Sequence, residues 1–154
     1  MSPTHRTSGA GAVKSPWTQS GTADGVGSGV VVRTEIERFS GREINTRGDD
    51  VLATFDGSTR AVRCASSIVA TAQHLDVEVR AGLHTGEVER QDGDIAGLAV
   101  HVGARVAEQA APGEVWVTST LRDLTAGSGI AFVDRGTHAL KRLAGEWRLL
   151  AVAP

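Results

Sequence analysis

Hydrophobic and polar positions alternate along this chain with two different periods. Val32, Ile36 and Phe39 recur at helical spacing with charges between them, so the pattern predicts a helix over Val30 to Phe39. Glu43 to Thr46 and Val51 to Phe55 read as two short strands around the turn Arg47-Gly48-Asp49-Asp50. Ser58 is placed to cap a helix running to about His74, in which Ala61, Ala65, Ile68 and Ala72 make one apolar stripe. Cys64 falls on its buried side. Val77, Val79, Ala81 and Leu83 alternate strictly, as a half-buried strand does.

A polar stretch, His84 to Gly97, leads to a second amphipathic helix over Leu98 to Ala110, stopped by Pro112-Gly113. Glu114 to Thr118 reads as a strand and Leu121 to Leu124 as a short helical turn. Ile130 to Val133, His138 to Leu140 and Trp147 to Val152 read as closing strands. Helices alternating with strands, plus one hairpin, predict an α/β (α+β) sandwich with helices on one face of a sheet.

The first 29 residues do not share this pattern. They are rich in Gly, Ser, Thr and Ala without periodicity, and such a segment buries too little apolar surface to offset its ordering entropy. The expectation is a disordered, low-complexity head over 1–29, Trp17 included, and a domain over 30–154.

Composition narrows the function. Hydrophobic residues make up 40% of the 154, enough for a packed core. The formal net charge is −2, with no basic run, which argues against nucleic acid and anionic membranes as partners. The sequence has neither a membrane-spanning stretch nor the apolar core of a secretory signal. A single cysteine excludes an internal disulfide and a cysteine-based zinc site. These features predict a cytoplasmic protein.

Two places could carry chemistry. Asp49 and Asp50 sit in a tight turn, where carboxylates serve either as turn-formers or as ligands for a hard cation such as Mg²⁺. Asp94, Leu98, His101 and Arg105 follow at spacings of 4, 3 and 4, beside the buried side marked by Ala99, Val102 and Val106. That stripe is either a solvated face or a surface that reaches a phosphorylated ligand, for which the planar, permanently charged fork of Arg105 is suited.

The segments GREINTRGDDVLATFDGSTRAVRCA, VEVRAGLHTGEV, DIAGLAVHVGARV, PGEVWVTSTLRDLTAGSGIAFVDRG and GEWRLLAV, in order and in register, resemble the catalytic domain of class III adenylate and guanylate cyclases, in the style of actinobacterial members. The resemblance implies a ferredoxin-like sandwich that pairs as a homodimer or with another cyclase domain. It implies conversion of ATP, with GTP possible, to the 3′,5′-cyclic monophosphate and pyrophosphate in cyclic-nucleotide signalling, with two Mg²⁺ or Mn²⁺ ions. By the same resemblance, Asp49 is a metal ligand and Asp94 a base-reading residue. Arg105 stabilises phosphate charge in the transition state, and His101 stands where an asparagine often orients the ribose. Asn45 replaces the base-reading lysine of adenylate cyclases, although an amide can still bond a purine edge. His84 looks structural.

The same comparison exposes a gap. Such domains open with a strand ending in a Phe-x-Asp-Ile-x-x-Ser-Thr type motif that supplies the first metal aspartate. Nothing in residues 1–29 matches it, and Asp24 lacks the preceding apolar strand. The expectation is therefore an N-terminally incomplete domain without its first strand and metal motif, with one metal carboxylate and weak or no activity alone.

Overall fold

The computed structural model describes residues 9–14, 32–47, 50–86, 89–91, 94–96 and 98–154. Residues 32–38 form helix α1. Ser40, at φ 59°, lets the Gly41 N–H return 2.8 Å to the Ile36 carbonyl and so closes this helix. Strands β2 (Arg42–Arg47) and β3 (Asp50–Phe55) follow, then α2 (Ser58–His74), β4 (Arg80–His84) and a small separate hairpin, β5 (Glu89–Gln91) with β6 (Asp94–Ala96). Helix α3 (Leu98–Gln109), β7 (Val115–Thr118), α4 (Ser119–Leu124), β8 (Phe132–Ala139) and β9 (Glu146–Val152) complete the chain.

The expected disorder of the head does not hold for residues 9–14. Gly9–Lys14 is strand β1, and it lies in the middle of a seven-stranded sheet ordered β2-β3-β1-β4-β7-β9-β8. It runs antiparallel to β3 on one side and to β4 on the other. The domain therefore does not lack its first strand; it takes it from the segment the sequence pattern set apart. The segment GAGAVK has little side-chain bulk and no large apolar residue, so it gives almost no periodic signal. Its place is fixed by neighbours on both edges and by contacts with α2 and α3. The rest of the head, Asp24 and Trp17 included, lies outside the described residues.

The helices lie on both faces of the sheet, not on one. Val32 and Ile36 of α1, the stripe Ala61, Ala65, Ile68 and Ala72 of α2, and Leu121 of α4 share one core with Val51, Ala53, Phe55, Ala81, Leu83, Val115, Val117 and Leu150. Ser67 Oγ donates to Glu35 at 2.7 Å and ties α2 to α1. The alternate strand positions, Trp116, Leu149 and Ala151, pack with Val102, Val106 and Ala110 of α3 on the opposite face. Period-2 alternation thus feeds two cores from one sheet. Cys64 is buried in the first, and burial, with Glu35 nearby, pushes its thiol up to about 12, so it stays protonated.

Three further boundaries differ from the sequence pattern. Gly57, not Ser58, is the N-cap of α2, and Ser58 is buried as its first helical residue. The polar stretch after His84 contains the β5–β6 hairpin, too short to show a period. The two predicted strands between Ile130 and Leu140 are one long edge strand, β8, with its register shifted between Asp134 and Thr137 around Gly136 at φ 83°.

Candidate functional site

Helix α3 is the element that positions two candidate residues, and a glycine lets it sit close. Gly82 of β4 alternates with the inward Ala81 and Leu83 and so faces α3. A Cβ there would run into the backbone nitrogen of Ala107 and come 2.5 Å from the Gly103 carbonyl oxygen. The helix backbone therefore lies directly on β4, an approach that only glycine permits. With Val102 and Val106 fully buried, His101 and Arg105 fall one turn apart on the flank of α3. His101 is exposed and Arg105 half-buried. Arg105 Nη1 donates to Glu108 Oε1 at 2.8 Å, one turn along the same helix. That pair occupies one of the five N–H donors of the guanidinium and leaves the fork able to meet a second anion.

Asn45 and Asp94 are brought onto neighbouring elements. Asn45 lies on β2 and Asp94 opens β6, and these two strands touch. Asp94 is thus on a strand and not on the entry to the helix, so the expected single stripe from Asp94 to Arg105 is two elements. Asp49 falls between β2 and β3 in the sequence, outside the described residues.

His84 is a structural residue, as the sequence suggested. It is buried, its Nδ1 lies 2.6 Å from Thr118 Oγ1, and Trp147 packs edge-on to its ring at 5.6 Å. Burial pulls its pKa down to about 4, so it is neutral at pH 7. Thr118 also caps α4 by accepting from the Leu121 N–H, which ties the strand end to the helix start. A cleft of about 320 Å³ beside Gln73, Glu114, Val133 and Arg135 lies against α2 and contains none of the candidate residues.

One arrangement the sequence reading missed comes from register alone. In the ladder, Arg47 is paired with Asp50, Asp50 with Lys14, and Lys14 with Arg80. A single row across β2, β3, β1 and β4 therefore carries three cations and one carboxylate, at the end of the sheet where β2 turns into β3. Only the order of the strands puts these residues side by side, and that order depends on β1.

The likeness to known proteins follows the fold. A 24%-identical solved structure, an adenylate/guanylate cyclase/hydrolase from Silicibacter pomeroyi, matches 97% of this chain and 97% of its own with a TM-score of 0.84. The guanylate cyclase domain from Catenaria anguillulae, solved in complex with GTP, matches 99% and 98% at 16% identity and a TM-score of 0.83. Among curated sequences, "Putative adenylate cyclase 3" of Rhizobium meliloti (strain 1021) is 31% identical over 112 residues, 67% of this chain. An uncharacterized protein of Mycobacterium tuberculosis is 34% identical over 104 residues. This chain spans only 19% of the first relative and 36% of the second. No protein-family model matches the chain. The chain has the fold of an adenylate/guanylate cyclase domain, an α+β sandwich, and resembles class III nucleotide cyclases through most of its length.

The two-ion metal centre implied by that resemblance can be tested against the donors present. β1 contains no Asp, Glu, His or Cys, and the residue at its end beside the β2–β3 turn is Lys14. Among the described residues, no three His, Cys, Asp or Glu side chains gather to hold a metal. An ammonium is donor-only and cannot ligate a cation. Among the described residues, the donor set does not fit a pair of ions; Asp49 lies outside them.

Proposed function

We propose that this chain is a nucleotide cyclase domain that takes part in converting ATP to 3′,5′-cyclic AMP and pyrophosphate, and that works when paired with a second cyclase domain. The observation that supports this is a cyclase fold running through the whole chain, with α3 seated on β4 so that His101 and Arg105 lie on its outer flank. The domain is weak or inactive alone, because β1 brings no carboxylate. Asp49 is the one metal ligand in this reading, for Mg²⁺ or Mn²⁺, which when bound polarises phosphate oxygens. The setting is cytoplasmic; a second copy can pair with the chain, but the partner that completes the site is another cyclase domain that brings both metal carboxylates.

In the reaction, the ribose 3′-oxygen forms a bond to the α-phosphorus and gives up its proton to solvent. The bond from that phosphorus to the oxygen bridging it to the β-phosphate breaks, and pyrophosphate leaves with that oxygen. Asp94 accepts from the adenine amino group, and Asn45 meets another purine edge; because an amide both donates and accepts, GTP is a possible second substrate. His101 orients the ribose. Arg105 meets charge that grows on the phosphate as the reaction proceeds, so its effect falls on turnover more than on binding.

The test is to co-express this chain with a complete cyclase subunit whose own arginine is disabled. Restored cyclic AMP formation is expected, with Arg105→Ala lowering it roughly a hundredfold, the loss typical of one preorganised charge-stabilising donor. Asp94→Ala should relax the preference for ATP over GTP. No restoration despite demonstrated pairing refutes the donor role.

A further inference from the structure

We propose that the cavity between the end of α1 and the start of α2 binds a small phosphate monoester, gripped at its phosphate by Arg60 and Arg63. The inference goes beyond the cyclase reading and does not depend on it.

The cavity has a volume of about 450 Å³ and is lined by Phe39, Asp56, Gly57, Thr59, Arg60 and Arg63. That volume falls within the range of small-molecule sites. It lies where Phe55 ends β3 and the chain turns into α2. β3 runs about 17 Å from Asp50 to Phe55, so the cavity is at the opposite end of that strand from the neighbour of the metal candidate.

Charge is what singles this cavity out. Arg33, Arg38, Arg105, Arg122, Arg135 and Arg148 each have a carboxylate at 3.3 Å or closer. Among the described residues, none pairs with Arg60 or Arg63. Arg63 Nη2 donates to the Ser128 carbonyl at 3.4 Å, a contact that directs the guanidinium without neutralising it. The two arginines are three residues apart on α2, so they emerge as neighbours on one side of the helix, and both are exposed. Asp56 is the one carboxylate among the described lining residues, so two cations outweigh it. The first turn of α2 has no acidic residue, and the positive end of the helix adds to the field of the two guanidiniums.

The chemistry selects phosphate over carboxylate. A guanidinium fork meets two oxygens at once. A carboxylate has only two oxygens and is used up by one fork. A phosphate monoester carries a charge of about −1.5 to −2 at pH 7 and three acceptor oxygens, so it can serve both arginines. The cavity is larger than a phosphate group alone needs, and half-buried Phe39 supplies an apolar wall. The Arg38 guanidinium lies 5.3 Å from the centre of that ring and is already held by Glu35, so it lends no free charge. The ligand is therefore a phosphate ester with a compact apolar body.

The probe is phenyl phosphate, which has a ring and one phosphate but no base, ribose or polyphosphate. It is titrated into the ¹⁵N-labelled full chain at pH 7 and followed by amide shifts. Saturable shifts over Gly57 to Arg63 are expected. Arg60→Gln and Arg63→Gln should each weaken binding roughly tenfold, the value of one charge-assisted hydrogen bond. Asp56→Asn should tighten it. Inorganic phosphate should bind more weakly than phenyl phosphate, and phenol should not bind. Without ligand, both Gln variants should melt within about 2 °C of the wild type, because the side chains they change are exposed. Equal affinity in the wild type and both Gln variants overturns the inference, as does phenol binding as tightly as phenyl phosphate. Binding of a phosphoserine peptide without binding of phenyl phosphate would assign the cavity to a protein partner and overturn it as well.

Discussion

The two halves of the central sheet are built to opposite rules. Across β4, β7 and β9, paired positions are apolar on both faces: Ala81 with Val115, Leu83 with Val117, Val117 with Leu150, Trp116 with Ala151. Across β2, β3 and β1 the sheet runs out into a row of charges at Arg47, Asp50 and Lys14. The first half holds the fold through area removed from water, at about 1.5–3 kcal/mol per fully buried Val, Leu or Ile. The second half sets charged residues at paired positions instead, and polar positions of that kind contribute far less through burial. β4 belongs to both, since Ala81 and Leu83 pack inward while Arg80 ends the charged row.

Breaking the contact at Gly82 should have the largest effect, because it joins α3 to the packed half. Gly82→Val forces side-chain atoms into the backbone at Gly103 and Ala107, neither of which can swing aside. Overpacking of this kind should cost roughly 3 kcal/mol in a urea unfolding titration. It should also remove any activity that depends on Arg105, because the helix would lift from the strand.

Acidification tests the packed half through His84. Its folded pKa of about 4 lies below the ordinary 6.5, so between these values the unfolded chain binds the proton and the folded chain does not. Stability from neutral His84 is complete above about pH 6.5 and is lost as pH falls toward 4, by about 3 kcal/mol in all. Urea titrations at pH 7, 6, 5 and 4 should show this slope, and His84→Gln should flatten it even if its stability at pH 7 is lower. An unchanged slope in the variant would show that other groups carry the dependence.

A smaller effect is expected at Trp147, whose buried Nε1 has no hydrogen-bond partner. Trp147→Phe removes an N–H that is already unsatisfied, so it should cost less than about 1 kcal/mol, as the lost packing is offset by the lost desolvation penalty. Smallest of all is Glu108→Ala. Its pair with Arg105 is partly exposed, and such i,i+3 pairs contribute about 0.2–0.5 kcal/mol. Freed of that pair, Arg105 should remain competent in the mixed-dimer assay, which would confirm that Glu108 is dispensable to it.

What could be read from the sequence divides along the same line. The stripe Ala61, Ala65, Ile68 and Ala72 and the alternation through Ala81 and Leu83 were legible because one buried side per element writes a period into the chain. Two cores were not legible from the strands, because Trp116, Leu149 and Ala151 interleave with inward residues that belong to the other face. β1 was missed because Gly and Ala carry no pattern, and what makes Gly9–Lys14 a strand is the pair of edges it fills. His101 and Arg105 were legible as neighbours on one helix. The basic row was not, since Lys14 and Arg80 are far apart in sequence and meet only through strand order. Asp49, the metal candidate, lies outside the described residues, so the case for it remains the sequence pattern around it and the likeness to cyclases.

The proposed function combines a cyclase fold with an incomplete metal centre of its own, so that the chain binds nucleotide but needs a complete partner domain to turn it over. The most direct measurement is cyclic AMP formation by the purified chain with ATP and Mn²⁺, with Asp49→Ala as the paired control. The account predicts formation at or near background in both, with ATP still bound. Robust cyclic AMP formation by the chain alone, abolished by Asp49→Ala, would contradict it.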